Sequence, residues 1–175
     1  MRFRTQSAAL LLAAALFAAA LAVAAPPASQ PATTQPSPQA ARVPHTRPPE
    51  GKTMELLLHE LGNFEYAEGN DDTIPADVRQ LDGVRVRLPG QMLPIDSAAR
   101  VSQFLLVNDM MSCCYGSAPK VQTVALCKLP EGKWLSATGE RIMVEGILHV
   151  KVKREEGYVT SIFQVDAQSI KMAPQ

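Results

Sequence analysis

The chain has 175 residues, and its seventeen basic and seventeen acidic side chains give a formal net charge of zero. No long block of basic residues is present, which argues against a nucleic-acid-binding surface. The sequence also lacks a Gly-x-Ser-x-Gly motif, a His-Glu-x-x-His motif and a glycine-rich phosphate loop, so the common hydrolase and nucleotide-binding signatures are excluded.

Residues 1–24 have the pattern of a signal peptide. Arg2 and Arg4 precede an apolar run from Ala8 to Ala24, and the run ends in the small-x-small pattern that signal peptidase reads. We therefore expect cleavage after Ala24 and a periplasmic or secreted protein. The alternative is an uncleaved leader that anchors the protein, since the run is almost long enough to span a bilayer.

Residues 25–50 are predicted to be a disordered linker. Eight of the fourteen prolines lie there, among Ala, Ser, Thr and Gln. Such a composition favours extended, polyproline-like conformations and forms a semi-rigid spacer. The folded part is then residues 51–175, a single domain of modest size.

Two short helices are predicted at the start of this domain. The first runs from Thr53, a potential N-cap, to Gly62, and its apolar residues follow helical spacing: Met54, Leu57, Leu58 and Leu61. The second runs from Pro75 to Leu81, with Thr73 as a potential cap. Its expected buried residues are Val78 and Leu81.

From Gly83 onward the apolar residues alternate with a period of two, which predicts strands. Pro89-Gly90 is expected to end the first strand, and Gly146 to mark a bulge in the fourth. Five strands with short turns favour a small OB-like β-barrel, with a β-sandwich as the alternative. The predicted strands are Val84–Leu88, Val101–Val107, Val121–Leu129, Ile142–Val152 and Val159–Val165.

Several segments of this order resemble a known family. They are Leu81–Gly90, Met92–Pro94, Phe104–Val107, Cys113–Gly116 and Val144–Gly146. Together they resemble the bacterial exported family catalogued as domain of unknown function 3299 (DUF3299), over about residues 74–170 of this chain. The resemblance implies an exported β domain and implies no activity.

The three cysteines cannot all pair with one another. Cys113 and Cys114 are adjacent, and their Cα atoms about 3.8 Å apart are too close for an ordinary disulfide. A bond from either one to Cys127 leaves one thiol over. If the second and third strands form a simple hairpin, Val107 opposes Val121, and Cys127 lies roughly 20 Å along the strand from that point.

Sulfur atoms are concentrated in one short stretch, Met110–Gly116, which we call the sulfur-rich segment. Thiolate and thioether ligands suit Cu(I) or Zn(II), so a soft-metal site is predicted there. The candidate ligands are Met110, Met111, Cys113, Cys114 and Cys127. The two histidines of the folded part, His59 and His149, are interpreted as surface residues.

These observations predict a non-enzymatic, exported binding module. It would engage a protein partner of the cell envelope, or a soft metal ion, through the sulfur-rich segment. Contact with a membrane would come only through an uncleaved leader. The alternative is a periplasmic thiol-redox protein or a copper- or zinc-handling protein that uses Cys113, Cys114 and Cys127.

Overall fold

The computed structural model of the protein describes residues 42–110 and 119–173. These residues form six strands, two one-turn α-helices and two short 3-10 helices. In chain order they are β1 (Met54–Glu55), α1 (Leu58–Leu61), a 3-10 helix (Asp71–Thr73), α2 (Ala76–Arg79), β2 (Arg85–Pro94), β3 (Gln103–Val107), a second 3-10 helix (Val121–Thr123), β4 (Ala125–Lys128), β5 (Arg141–Glu155) and β6 (Tyr158–Met172).

The strands form one sheet in the order β1-β2-β3-β4-β6-β5, and β5 also pairs with β2. Strands β2 to β6 therefore pair in a ring, which confirms the prediction of a mainly β, OB-like barrel preceded by short helices. Strand β4 pairs with β6 in parallel, whereas the other pairings within the ring are antiparallel. The described strands number six rather than five, because β1 adds a short parallel pairing to β2 outside the ring.

The core lies inside this ring. Val86, Leu88 and Met92 on β2 are buried, while Arg85 and Arg87, which alternate with Val86 and Leu88, are only half-buried. This alternation follows from the two-residue period of a strand, which directs successive side chains to opposite faces. Phe163 on β6 is fully buried. The buried cluster continues with Phe104, Leu106, Ala125, Cys127, Val144, Leu148 and Val165.

The first predicted helix is wrong in its extent, because only Leu58–Leu61 is helical. Met54 instead pairs with Val86 of β2, and the Leu56 N–H donates to the Arg87 carbonyl at 3.1 Å. These tertiary hydrogen bonds hold the chain extended where the apolar spacing alone predicted helix. The end at Gly62 is correct.

The second predicted helix is shorter than expected and is capped differently. It spans Ala76–Arg79, and the residue at its N-cap position, Pro75, makes no side-chain hydrogen bond to the helix. The Thr73 hydroxyl is not the cap, because it donates to the Asn70 carbonyl at 2.8 Å. Val78 and Leu81 are buried, as predicted.

Pro89-Gly90 does not end the first long strand, which continues to Pro94. Pro89 pairs with Met143 of β5, and Gly90 pairs with Ile142. A Cβ atom on Gly90 would lie 2.6 Å from the Val107 carbonyl oxygen and 2.8 Å from the Leu106 side chain. Glycine is therefore present to allow close packing of two strands and not to make a turn.

Other strand boundaries also differ, most of all at the start of β4 and the end of β6, and the predicted bulge is confirmed. Strand β4 begins at Ala125, because Val121–Thr123 forms a 3-10 helix. Strand β6 continues past Val165 to Met172 and stays paired with β5 back to Ile142. The β5–β6 register shifts between Glu145 and Gly146, which is the bulge that Gly146 predicted.

Residues 42–47, here called the N-terminal segment, lie against α2. Arg42 forms an ion pair with Asp77, and the His45 N–H donates to the same carboxylate at 2.8 Å. The Gln80 side-chain amide donates to the His45 carbonyl at 2.8 Å. The composition assigned these residues to the linker, so contacts with the domain begin before residue 51. The linker and domain bounds otherwise remain predictions.

Candidate functional site

The connection between β3 and β4, residues 108–124, carries the sulfur-rich segment. Of the predicted ligands, the structure describes Met110 and Cys127, whereas Met111, Cys113 and Cys114 lie outside the described residues. The site is therefore built from the residues at the two ends of this connection and from the position of Cys127.

The first end of the connection is held by two side chains from neighbouring strands. The Met110 N–H donates to Oε1 of Gln91 at 2.8 Å, and Met110 is half-buried. Nη1 of Arg141 donates to the Asn108 carbonyl at 3.3 Å. Gln91 and Arg141 pair across β2 and β5, so both side chains start from the closed part of the ring.

The second end is held by the α1 region. The Gln122 side chain is buried, and its Nε2 donates to the Phe64 carbonyl at 3.1 Å. The Gln122 backbone also lies directly against α1, since a Cβ atom on Gly62 would be 1.9 Å from the Gln122 carbonyl oxygen. Lys120 forms an ion pair with Glu65 at 3.1 Å, an exposed contact that contributes little to stability.

The β3–β4 pairing is offset from the simple hairpin. Leu106 pairs with Ala125 and Phe104 with Cys127, so the position opposite Val107 is Val124 and not Val121. Cys127 is thus three residues from that end of the hairpin, roughly 10 Å along the strand rather than 20 Å. Residues Val121–Thr123 form a 3-10 helix, so they do not make the strand pairing with β3 that the simple hairpin predicts.

Cys127 lies in the barrel core. Its side chain is fully buried among Phe104, Val165 and the rest of the core cluster, and its thiol is free. The thiol donates to the Ala125 carbonyl at 3.8 Å. Burial raises the pKa of the Cys127 thiol well above its ordinary value, because an apolar interior disfavours the thiolate.

His59 and His149, the two histidines of the predicted domain, belong to no metal-binding cluster of described residues. His59 is exposed on α1, as predicted. His149 is half-buried on β5, and its Nε2 lies 2.9 Å from a carboxylate oxygen of Asp166. Within residues 42–110 and 119–173, no three His, Cys, Asp or Glu side chains lie close enough together to hold a metal ion.

A cleft of about 340 Å³ lies beside the second end of the connection. Its lining includes Glu65, Tyr66, Lys120, Gln122 and Val159. The Tyr66 hydroxyl donates to Asp71 at 2.8 Å. The pKa of Tyr66 is raised, mainly because burial disfavours the phenolate and secondly because of this hydrogen bond.

The same carboxylate also binds an arginine of β5. Nη2 of Arg154 lies 2.5 Å from Oδ1 of Asp71. The hydrogen bond from Arg154, and then the one from Tyr66, lower the pKa of Asp71. This network ties the 3-10 helix over Asp71–Thr73 to β5, near the cleft.

Sequence reasoning missed the polar residues that hold the β3–β4 connection. Gln91, Gln122 and Arg141 are isolated polar positions without a motif, and their importance depends on partners at distant positions in the chain. The only local signal was the length of the connection, since long loops in compact domains tend to be functional.

Among the residues that the structure describes, no helix combines the length and the apolar character needed to cross a membrane.

Comparison with known proteins gives one family. Residues 45–172, more than half of the chain, match the family model described as "Protein of unknown function (DUF3299)". No curated protein matches the chain.

Two solved structures align with the chain. A DUF3299 family protein from Pseudomonas aeruginosa PAO1 is similar at 20% identity and a TM-score of 0.52, covering 71% of this chain and 99% of that chain. The S. pombe Stn1-ten1 complex matches at 15% identity and a TM-score of 0.33, covering 71% of this chain and 79% of that chain. The first likeness supports the fold alone, and the second is too weak to carry an argument.

Proposed function

The protein belongs to the DUF3299 family, and we propose that it is an exported, non-enzymatic binding module that engages its ligand through the sulfur-rich segment, Met110–Gly116. The observation that carries this proposal is the attachment of the β3–β4 connection at both ends. Gln91 and Arg141 hold one end, and Gln122 holds the other. A barrel that fixes both ends of a long connection is suited to present the residues between them.

The ligand we favour is a protein partner of the cell envelope. The leader over residues 1–24 and the proline-rich spacer after it support a domain held outside the cytoplasm, in the periplasm or secreted. Methionine and aromatic side chains are common at protein interfaces, and Met110, Met111 and Tyr115 fall within seven residues of each other.

A soft metal ion, Cu(I) or Zn(II), is the second candidate, and the sulfur content of the segment favours it. The ligands would be Met110, Met111, Cys113 and Cys114, all from the segment itself. Cys127 is a poor ligand or redox thiol, because a metal-bound or nucleophilic thiol must ionise and burial opposes that. This weakens the three-cysteine version of the metal and thiol-redox alternatives.

The test uses the reduced, mature full-length protein and two matched variants. Cys113→Ser/Cys114→Ser removes the thiols of the segment, and Cys127→Ser removes the buried thiol as a control. Cu(I) and Zn(II) are titrated against a competing chelator, and a thiol-directed photo-cross-linker attached at Cys113 or Cys114 is activated in the presence of envelope extract.

The protein-partner proposal predicts one discrete cross-linked protein. Its yield should fall when excess unlabelled protein is added, and only weak metal binding is expected. Sub-micromolar Cu(I) or Zn(II) binding that is lost in the double variant and kept in Cys127→Ser would assign the metal instead. The absence of both a competed cross-link and sub-micromolar metal binding would contradict the proposed function.

A further inference from the structure

A cleft of about 470 Å³ lies between the chain at residues 47–52 and the start of β2. This volume is within the range of about 300–1,000 Å³ that is typical of small-molecule sites. Lining residues that matter here are Arg47, Lys52, Val84, Arg85 and Ile147. From its charge and its walls, we infer that this cleft binds a small organic anion, a carboxylate or a phosphate ester that carries an apolar group.

The cleft has more positive than negative side chains. Arg47, Lys52 and Arg85 line it, against one carboxylate, Glu50. Neither Arg47 nor Lys52 forms an ion pair with any residue in the described parts of the chain. Their charges are therefore available to an anion from solution.

Arg47 is positioned without being neutralised. Its Nη1 donates to the Gln80 carbonyl, and it also donates to the Asp82 carbonyl at 3.0 Å. Backbone carbonyls are neutral acceptors, so these bonds orient the guanidinium and leave its positive charge in place. Orientation of this kind lowers the entropy lost when a ligand binds.

Arg85 is only partly compensated. Its Nη1 donates to the neutral Gln168 side chain at 2.6 Å and lies 3.9 Å from Oε1 of Glu145, at the limit of an ion pair. Glu145 also pairs with Arg87 at 3.5 Å, and Arg87 in turn pairs with Glu55 at 2.9 Å, so two arginines share two carboxylates. The uncompensated positive charge of the cleft therefore comes chiefly from Arg47 and Lys52.

The walls of the cleft are partly apolar and are fixed by the backbone. Val84 is buried, while Ile147 and Pro48 are half-buried, so apolar surface lies beside the charged groups. Gly51 and Gly83, on the two sides, each have a φ of 78°, and a Cβ atom on either would meet no atom within 4 Å. The turns are therefore defined by positive φ, and the space between them is open.

The test is an NMR titration of the ¹⁵N-labelled mature full-length protein with three probes: inorganic phosphate, phenyl phosphate and benzoate. Saturable shifts are expected at the amides of Gly51, Lys52, Gly83, Val84 and Ile147. Because the apolar wall adds binding energy, the better of the two aromatic probes should bind about tenfold more tightly than inorganic phosphate. Comparison of phenyl phosphate with benzoate then identifies the preferred anionic group.

Lys52→Gln should weaken binding about threefold to fivefold, as expected for one exposed charge. Lys151→Gln is the matched control, because it removes an exposed lysine from β5 outside the cleft and should leave binding unchanged. Shifts that do not saturate, equal weakening by both variants, or no preference for either aromatic probe over inorganic phosphate would overturn the inference.

Discussion

At the scale of single residues, Cys127 illustrates how burial decides the chemistry of a thiol. Its side chain is fully buried in the barrel core and faces Phe104 and Val165 across the neighbouring strands. The interior disfavours the thiolate, and the thiolate is the form that attacks electrophiles and binds metals. A cysteine can therefore be a candidate for chemistry, as Cys113 and Cys114 are, or a part of the packed core, as Cys127 is.

We predict that Cys127 is inert to alkylation in the folded protein. In a Cys113→Ser/Cys114→Ser variant, N-ethylmaleimide should modify no thiol in native buffer and one thiol in denaturant. Because the pKa of Cys127 is raised, raising the pH from roughly 7 to 9 should not accelerate the native reaction as it does for an ordinary thiol of pKa about 8.5. Mass spectrometry of the intact protein measures the outcome, and rapid labelling of the native protein would contradict it.

Gly146 is a second residue whose role is decided by its neighbours. A Cβ atom there would lie 2.2 Å from the Asp166 carbonyl oxygen, in the backbone of β6. Gly146→Ala should therefore lower the free energy of unfolding by about 1–3 kcal/mol. Gly139→Ala is the control, since a Cβ atom there meets no atom within 4 Å, and it should range from no change to about 1 kcal/mol of stabilisation. Urea denaturation compares the two, and equal midpoints would contradict the packing argument.

At the scale of elements, ion pairs join segments that the sheet does not connect. Arg154 on β5 binds Asp71 of the first 3-10 helix, and Tyr66 donates to the same carboxylate. These bonds are made by the ionised carboxylate, so the folded state holds its proton less tightly than the unfolded chain. The contribution to stability is present above the ordinary pKa of 3.8 and is lost as the pH falls through the lower, folded-state value.

We predict that Arg154→Gln raises the pKa of the Asp71 carboxyl towards its ordinary value, because the arginine hydrogen bond is the largest cause of the shift. An NMR titration of the side-chain carboxyl over roughly pH 2 to 6 measures this directly. Arg100→Gln is the control, since Arg100 lies over the Trp134 ring instead. An Asp71 pKa that is unchanged by Arg154→Gln would show that the ion pair does not form in solution.

Elements with strong local patterns could be predicted from the sequence, and elements made by tertiary contacts could not. The alternation of Ile142, Val144 and Leu148 predicted β5, and Gly146 predicted its bulge. By contrast, β1 has only two residues and exists through its pairing with β2, so Met54 was assigned to a helix. Pro89-Gly90 predicts the end of a strand, because the close approach of β3, which requires the glycine, is not visible locally.

The candidate site shows the same limit. The cysteine and methionine content marked Met110–Gly116 without any structural knowledge. The residues that hold its two ends, Gln91, Arg141 and Gln122, come from three separate parts of the chain and carry no motif. The placement of Cys127 depended on the β3–β4 register, which the 3-10 helix over Val121–Thr123 shifts by three residues.

At the scale of the whole molecule, one barrel carries two separate candidate surfaces. The sulfur-rich segment follows β3, whereas the basic cleft lies between residues 47–52 and the start of β2. The ring of strands stabilises the scaffold through its core, whereas the connections between strands tolerate changes of sequence. Loss of one surface should therefore leave the other intact, as well as the fold.

The central claim is that Met110–Gly116 binds the ligand while the barrel supports it. The most direct test replaces these seven residues by a Gly/Ser sequence of equal length in the full-length protein. Thermal unfolding and affinity for the cross-linked partner, or for Cu(I), are then measured side by side. We predict a Tm within about 4 °C of the original, because the core formed by the described residues lies outside the segment, together with loss of binding. Binding that survives the replacement in a folded protein would contradict the account.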